Sequence, residues 1–445
     1  MRTQPETIIQ QLEADNSRLA KEAILAQAMN EGLDEFFEGL KMALDKLYTF
    51  GVKQVPVKET NDGQGLPWTA FKPLAESLYR RELTGHAARD AIALAMSAAT
   101  QAQWNDYYRR ILIKDMRAGF SEKTVNTVAK KQKKPEYAVP VFECMLAHDG
   151  ANHETKIEGK KLLEEKLDGV RCLTVVDFEQ RSVTMYTRNG KVLENFPHIV
   201  KVFEDNIDTF ERSYVFDGEV MSSSFQALMT QVHRKDNVNA SDAVLHLFDI
   251  VPLFEFKQGK STLGQKRRSN FLKNWNGIWT DSGCIALVPQ KEVDLETFEG
   301  RMEFQDFNKA CLDAGKEGIM IKDVDAPYEC KRSVSWLKQK PFIEVSLTVT
   351  AVEEGTGKNV GRLGALVCEG VDDNKRIVVN VGSGFTDEQR MDYWAGYQED
   401  AASMVGQVVE VRADAATRSQ DSEDVWSLRF PRFLRFRGFK KGEKI

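Results

Sequence analysis

Residues 164–171 read Glu164-Glu165-Lys166-Leu167-Asp168-Gly169-Val170-Arg171. A lysine, an aspartate, a glycine and an arginine fall in one short string as K-x-D-G-x-R. In extended backbone alternate residues share a face, so Lys166 and Asp168 can point the same way. Gly169 permits a tight turn, and the planar fork of Arg171 suits a phosphate. Taken alone, the string also fits a solvated surface segment.

Further strings follow downstream. Thr187-Arg188-Asn189-Gly190 ends one β-type run. Phe216-Asp217-Gly218-Glu219-Val220 ends another, with Asp217 and Glu219 on one face. Phe248-Asp249-Ile250 closes LHLFDI. Glu317-Gly318-Ile319-Met320-Ile321-Lys322 and Ser335-Trp336-Leu337-Lys338-Gln339-Lys340 come next. Most of these set charges at or near strand spacing between apolar flanks. Such strings are costly as core and needlessly apolar as surface. Strands that present alternate charges to a cleft are what a nucleotide's phosphates require.

The pattern on either side divides the chain. Residues 1–135 are helix-rich, as in the Ala/Leu-dense stretch 18–46, LTGHAARDAIALAMSAAT at 83–100 and WNDYYRRILIKDM at 104–116. Lys130 to Pro135, KKQKKP, reads as a basic linker. From 136 to 343, short β-type runs alternate with helical ones, which predicts an α+β domain with antiparallel sheets. From 344 to 445, strand follows strand between Gly, Asp and Asn, and a small β-barrel of the OB-fold type is expected. Gly355-Thr356-Gly357-Lys358 lacks phosphate-loop spacing and reads as a strand connection.

Composition sets the outer bounds. The chain has 445 residues, 42% hydrophobic and 29% charged, enough for two to four ordinary domains. The longest nearly apolar stretch, AIALAMSAA at 91–99, is far short of the roughly 20 residues of a membrane span. The N-terminus has no signal pattern. The six cysteines lie apart without C-x-x-C, as expected of reduced thiols in a cytoplasmic protein. The histidines form no H-x-x-x-H, so any metal is expected to be oxygen-bound.

In their order and spacing, these strings resemble the nucleotidyltransferase motifs of ATP-dependent DNA ligases. The resemblance continues into Ser427-Leu428-Arg429-Phe430-Pro431-Arg432-Phe433-Leu434-Arg435-Phe436-Arg437, similar to the family's C-terminal motif. It also takes in Leu83-Thr84-Gly85 and Arg117-Ala118-Gly119-Phe120, with Lys123 just after. These are similar to DNA-contacting turns, although plain helix packing explains them as well. The layout is most similar to ligases of T-even-type bacteriophages. One departure stands out: Phe439 occupies the place of the Asp in the usual Arg-x-Asp-Lys.

The resemblance implies a helical DNA-binding domain, a nucleotidyltransferase (ATP-grasp-like adenylation) domain and an OB-fold domain, with ATP and Mg²⁺ as cofactors. It implies nick sealing in duplex DNA through a lysyl-AMP, in replication, repair and recombination. Lys166 would be the nucleophile. A free lysine, with a pKa of about 10.4, is almost wholly protonated at neutral pH, and clustered cations would lower that value. Lys338 and Lys340 would lie on the α-phosphate, with Arg171 nearby. Glu219 and Glu317 would be the metal carboxylates, with Glu219 alternatively on the ribose. Glu164 would take the adenine amino group and Leu167 would reach adenine through its backbone. Arg188 would meet the ribose or the nick phosphate, Phe248 would stack on adenine, and Lys322 would face the phosphates. Arg435, Arg437 and Lys440 would reach the triphosphate, by a swing of the barrel about residues 341–346. Thr84, Gly85, Arg117, Gly119 and Lys123 would touch DNA. A monomer is expected. An RNA ligase or a capping guanylyltransferase on the same core, or an inactive DNA-binding scaffold, stays open as an alternative.

The net charge of −6 argues against a nucleic-acid partner only as a sum. Residues 101–134 hold nine basic and three acidic side chains, and residues 427–445 hold seven and one. Two basic elements flank an acidic middle.

Overall fold

The structure is a computed structural model and describes residues 3–52, 54–222, 242–418 and 424–438. Phe439 and Lys440 lie outside the described residues. Between Pro5 and Gln132 the described elements are helices: α1 (Pro5–Ala14), α2 (Arg18–Asn30), α3 (Asp34–Leu44), α4 (Trp68–Tyr79), α5 (Gly85–Ala98), α6 (Arg109–Leu112) and α7 (Glu122–Gln132). A π-helical turn, Gln103–Tyr108, runs into α6 and turns Trp104, Tyr107 and Tyr108 inward together. Their rings join Phe36, Phe37 and Phe71 in one apolar cluster that extends to Tyr137 and Val139. The KKQKKP stretch is therefore not a linker. Its first residues finish α7, Lys133 closes the helix in the left-handed conformation, and Lys134 reaches back to the Met29 carbonyl at 2.6 Å. Cations at a helix C-terminus are favourable there because the last carbonyls carry partial negative charge.

Twelve strands follow: β1 (Leu146–Asp149), β2 (Lys160–Glu165), β3 (Val170–Asp177), β4 (Ser182–Thr187), β5 (Tyr214–Met221), β6 (Val244–Pro252), β7 (Lys260–Gly264), β8 (Ile285–Leu287), β9 (Gln290–Asp294), β10 (Ile319–Asp323), β11 (Pro327–Glu329) and β12 (Arg332–Gln339). Ten of them make two five-stranded sheets, ordered β1-β12-β10-β2-β9 and β4-β3-β5-β6-β8. Both sheets are mixed rather than purely antiparallel, since β1 runs parallel to β12 and β8 parallel to β6. These edge strands enter from loops and not from tight hairpins, so nothing forces reversal.

The second sheet is buried on both faces. On β3, Cys172 and Val176 point to a cluster formed with the helix Pro197–Asp205 and with Trp279, whereas Leu173 and Val175 point to a cluster that contains Met145, Tyr328 and Trp336. Period-two alternation puts apolar side chains into both layers at once. The cleft between the two sheets holds the site.

The last seven strands are β13 (Ile343–Glu354), β14 (Leu363–Asp372), β15 (Lys375–Val381), β16 (Val408–Ala413), β17 (Ala415–Arg418), β18 (Val425–Arg429) and β19 (Arg432–Gly438). They form one curled sheet ordered β17-β18-β15-β14-β13-β16-β19 around a core of Val345, Leu347, Leu366, Val411 and Phe433. Because β13 begins at Ile343, the extended link to this barrel is Lys340, Pro341 and Phe342, shorter than the 341–346 hinge expected from sequence.

Candidate active site

Glu164 ends β2 and faces Met320 of β10 on one side and Gln290 of β9 on the other. Its buried carboxylate receives Lys322 Nζ at 2.8 Å on Oε1 and 2.7 Å on Oε2, and Gln290 Nε2 at 2.5 Å on Oε1. Burial pushes the Glu164 carboxyl up, and Lys322 and Gln290 oppose that. Lys322 differs from the sequence expectation. Its ammonium does not face outward to phosphates but is 1% exposed, paired with Glu164 and lying 4.2 Å from the Trp336 ring centre and 4.6 Å from that of Phe248. Three enclosing groups make it part of the cleft floor.

Arg171 also differs. Its fork closes on Asp217, with Nε to Oδ1 at 2.5 Å and Nη2 to Oδ2 at 2.7 Å, and Nη2 reaches the Met145 carbonyl. Asp217 takes the Tyr328 hydroxyl as well, at 2.7 Å. The guanidinium is committed inside the protein and supports the Phe248 ring from 4.7 Å. A paired arginine of this kind holds a wall in place and leaves no fork for a phosphate.

Lys166 follows β2 directly. Its backbone N–H donates to the Gly318 carbonyl at 2.9 Å. Gly318 has φ +129°, and a Cβ there would lie 2.1 Å from the Gln339 carbonyl oxygen, so this close approach of three segments requires glycine. The Lys166 ammonium is ion-paired with Glu317, and Glu317 pairs with Lys340 through its other oxygen. Burial alone would raise the Glu317 carboxyl, but the two ammoniums hold it below the usual carboxylate range. The neighbourhood expected to be purely cationic thus has one carboxylate at its centre. Lys338 pairs in register with Asp149, and burial, with Lys340 and Lys166 close by, lowers its pKa.

Glu219 lies at the wall, opposite Arg171 on β3. Burial pushes its carboxyl to about 7. The folded value exceeds the unfolded one, so the protonated form favours folding and stability falls as pH rises from about 4.5 to 7. In metal-free protein, Glu219→Gln should therefore melt higher than the parent at pH 8, by about 2 kcal/mol, with the gap closing toward pH 4.5. Melting curves across that range would show it, and a constant gap would refute the assigned cause.

These groups enclose a cavity of about 290 Å³ lined by Glu164, Lys166, Leu167, Arg171, Arg188, Glu219, Phe248, Lys322, Trp336, Lys338 and Lys340. Arg332, Met320 and Leu146 line it too, although no sequence pattern singled them out. A second cavity, about 380 Å³, lies against the other side of Lys166 and includes Asp168, Lys316, Glu317, Asp414 and Arg429. Barrel and cleft meet here, with Lys340 3.6 Å from Asp414 and Arg429 3.9 Å from Asp168.

The rest of the C-terminal motif is elsewhere. Arg435 and Arg437 both pair with Glu410 of β16, at 2.6 and 2.5 Å, and neither lines the cleft. Lys440 lies outside the described residues. In the helical region, Thr84 and Gly85 open α5, and Gly119 and Lys123 flank the start of α7. Thr84, Gly85, Arg117, Gly119 and Lys123 are all exposed. Gly85, Arg117 and Gly119 have positive φ, which turns each helix entry outward.

Glu219 and Glu317 could hold a hard cation that keeps most of its water. Among the described residues no group of three His, Cys, Asp or Glu side chains forms a cage, and two carboxylates without soft donors suit Mg²⁺ better than zinc. No described helix is long and apolar enough to cross a membrane.

The family model "ATP dependent DNA ligase domain" matches residues 144–340, and "DNA ligase OB-like domain" matches residues 354–437. The DNA ligase of Methanospirillum hungatei is 29% identical over 318 residues, covering 66% of this chain and 54% of its own. That of Haloarcula marismortui is 30% identical over 298 residues, covering 62% and 51%. The chain thus spans about half the length of these curated relatives. A solved structure named Pmar-Lig_Pre is 52% identical, covers 98% of this chain and 100% of its own, and superposes with a TM-score of 0.67.

Proposed function

As the chain belongs to the ATP-dependent DNA ligase family, we propose that it seals nicks in duplex DNA with ATP. One observation carries the proposal: Lys166 stands at the junction of two cavities, one with an aromatic wall and a buried carboxylate sized for a purine, the other facing the barrel. In the first step Lys166 Nζ attacks the α-phosphorus of ATP, an N–P bond forms and pyrophosphate leaves. The AMP then passes to the 5′-phosphate of the nick. The 3′-hydroxyl attacks that phosphate, the phosphodiester forms and AMP leaves. Each step is a phosphoryl transfer that depends on position and charge.

The chain's own groups divide that work. Phe248 and Trp336 wall the base. Glu164 and the Leu167 backbone read its edge. Lys338 and Lys340 balance the phosphates, and Arg188 stands at the exposed lip. Mg²⁺, held by Glu317 and Glu219, would neutralise phosphate charge. The Lys166 ammonium stays paired until the Glu317 carboxylate is drawn away from it. Arg435 and Arg437 reach the triphosphate only after the barrel moves about Lys340–Phe342. We take the domains to be 1–135, 136–343 and 344–445. The first boundary sits nearer 140, because Tyr137 and Val139 pack in the helical core. We also infer a monomer and a layout nearest the T-even-type phage ligases, on the strength of the helical region ahead of the adenylation strands.

Purified protein should seal a nicked duplex with ATP and Mg²⁺, and failure to do so would overturn the proposal. The helical region would grip the backbone without reading sequence, through its exposed helix entries and basic side chains. Replacing Arg117 and Lys123 together by alanine should weaken binding equally for all sequences and lower the log–log salt slope by about 0.9 for each lost phosphate contact. An unchanged slope in a binding titration would take these residues out of the interface.

A further inference from the structure

We propose that Gln290, a residue outside the cleft, is a positioning residue that fixes which purine the site accepts by keeping Glu164 a hydrogen-bond acceptor. The inference rests on the nucleotide reading above. Gln290 begins β9, the edge strand of its sheet, directly across from Glu164. A carboxylate offers about four lone-pair sites. Lys322 reaches both Glu164 oxygens, at 2.8 and 2.7 Å, and Gln290 Nε2 adds a third bond at 2.5 Å. One acceptor site is left for a ligand.

All three contacts are donors, so the carboxylate is fixed as an acceptor. An acceptor matches the exocyclic amino group of a 6-aminopurine and repels the carbonyl of a 6-oxopurine. Burial works against this arrangement, because a protonated Glu164 would donate and favour the 6-oxo base. Lys322 alone cannot define the carboxylate plane, since it approaches both oxygens from one side of the cleft floor. Gln290 supplies the second direction. It is partly exposed on an edge strand and belongs to none of the apolar clusters, so its replacement leaves the core intact.

The test uses the full chain and covalent labelling of Lys166 with ATP, purine riboside triphosphate, which lacks the 6-amino group, and inosine triphosphate. The parent should prefer ATP to purine riboside triphosphate. In Gln290→Met that preference should fall about tenfold, with labelling by the analogue kept within about twofold of the parent. Gln290→Glu, which sets a second carboxylate against Glu164 and favours a shared proton, should gain labelling by inosine triphosphate. Equal loss with ATP and analogue in Gln290→Met, as from mere structural damage, would overturn the inference, and so would an unchanged ratio. A parent that labels with no preference for the amino group would sink the inference alone. A parent that labels with no nucleotide would sink the ligase reading beneath it.

Discussion

Replacement of Lys166 by alanine is expected to abolish covalent labelling of the protein by α-labelled ATP and to lower sealing of an ordinary nick by roughly 10⁴-fold or more, the scale on which nucleophile losses act. Lys166→Arg should fail equally, because a guanidinium does not give up its proton to become a nucleophile. A nick that already carries AMP on its 5′-phosphate bypasses this residue, so both variants should still seal it. Stability should change little. The side chain is partly exposed, and Glu317 keeps Lys340 as a partner when Lys166 is gone. Gel assays with labelled nucleotide and with pre-adenylated nicks would separate the steps. Retained labelling in Lys166→Ala would mean that another group is the nucleophile.

The largest stability effect should come from Asp249. It is fully buried and accepts both arms of the equally buried Arg268, at 2.8 and 3.0 Å. Arg268 also donates to the Gln265 side-chain oxygen, which holds the Trp336 indole N–H at 2.8 Å. Asp249→Ala would strand a buried guanidinium and should cost about 3–5 kcal/mol, a large share of an ordinary domain's stability. The chain of contacts ends at the aromatic wall, so the KM for ATP should rise as well. Asp249→Leu combined with Arg268→Met should be far milder, because no charge is left unpaired. Urea unfolding of the single and double variants checks this, and a loss under about 1 kcal/mol in Asp249→Ala would contradict it.

Much of the cleft was legible in the sequence. The runs GVRCLTVVDF, SVTMYTR, YVFDGEV, AVLHLFDIV and GIMIKDV each become a strand, since β-branched and aromatic residues alternate there over enough length to leave a clear period. Lys166, Glu164, Glu219, Phe248, Lys338 and Lys340 converge on one cavity because the motifs carrying them end neighbouring strands. Which partner each charge takes was not legible. Arg171 looks like a free phosphate fork until β5 brings Asp217 against it, and Lys322 looks exposed until Trp336 and Phe248 close over it. Gln290 left no trace in sequence, because its partner lies 126 residues away and Val288-Pro289-Gln290 is an unremarkable edge. The basic run at 130–135 misled in the other direction, since charge alone does not distinguish a solvated tether from the end of a packed helix.

One carboxylate between two ammoniums ties three positions into a single inherited unit. If position 317 lost its acid, Lys166 and Lys340 would stand side by side as bare like charges, and a lineage that must keep Lys166 could tolerate the change only by altering position 340 as well. Drift at these sites should therefore proceed by paired substitutions, with each single intermediate less fit than either end state. Natural variety in this corner of the protein should be sparse and correlated, even though each residue taken alone is an ordinary surface-tolerant charge.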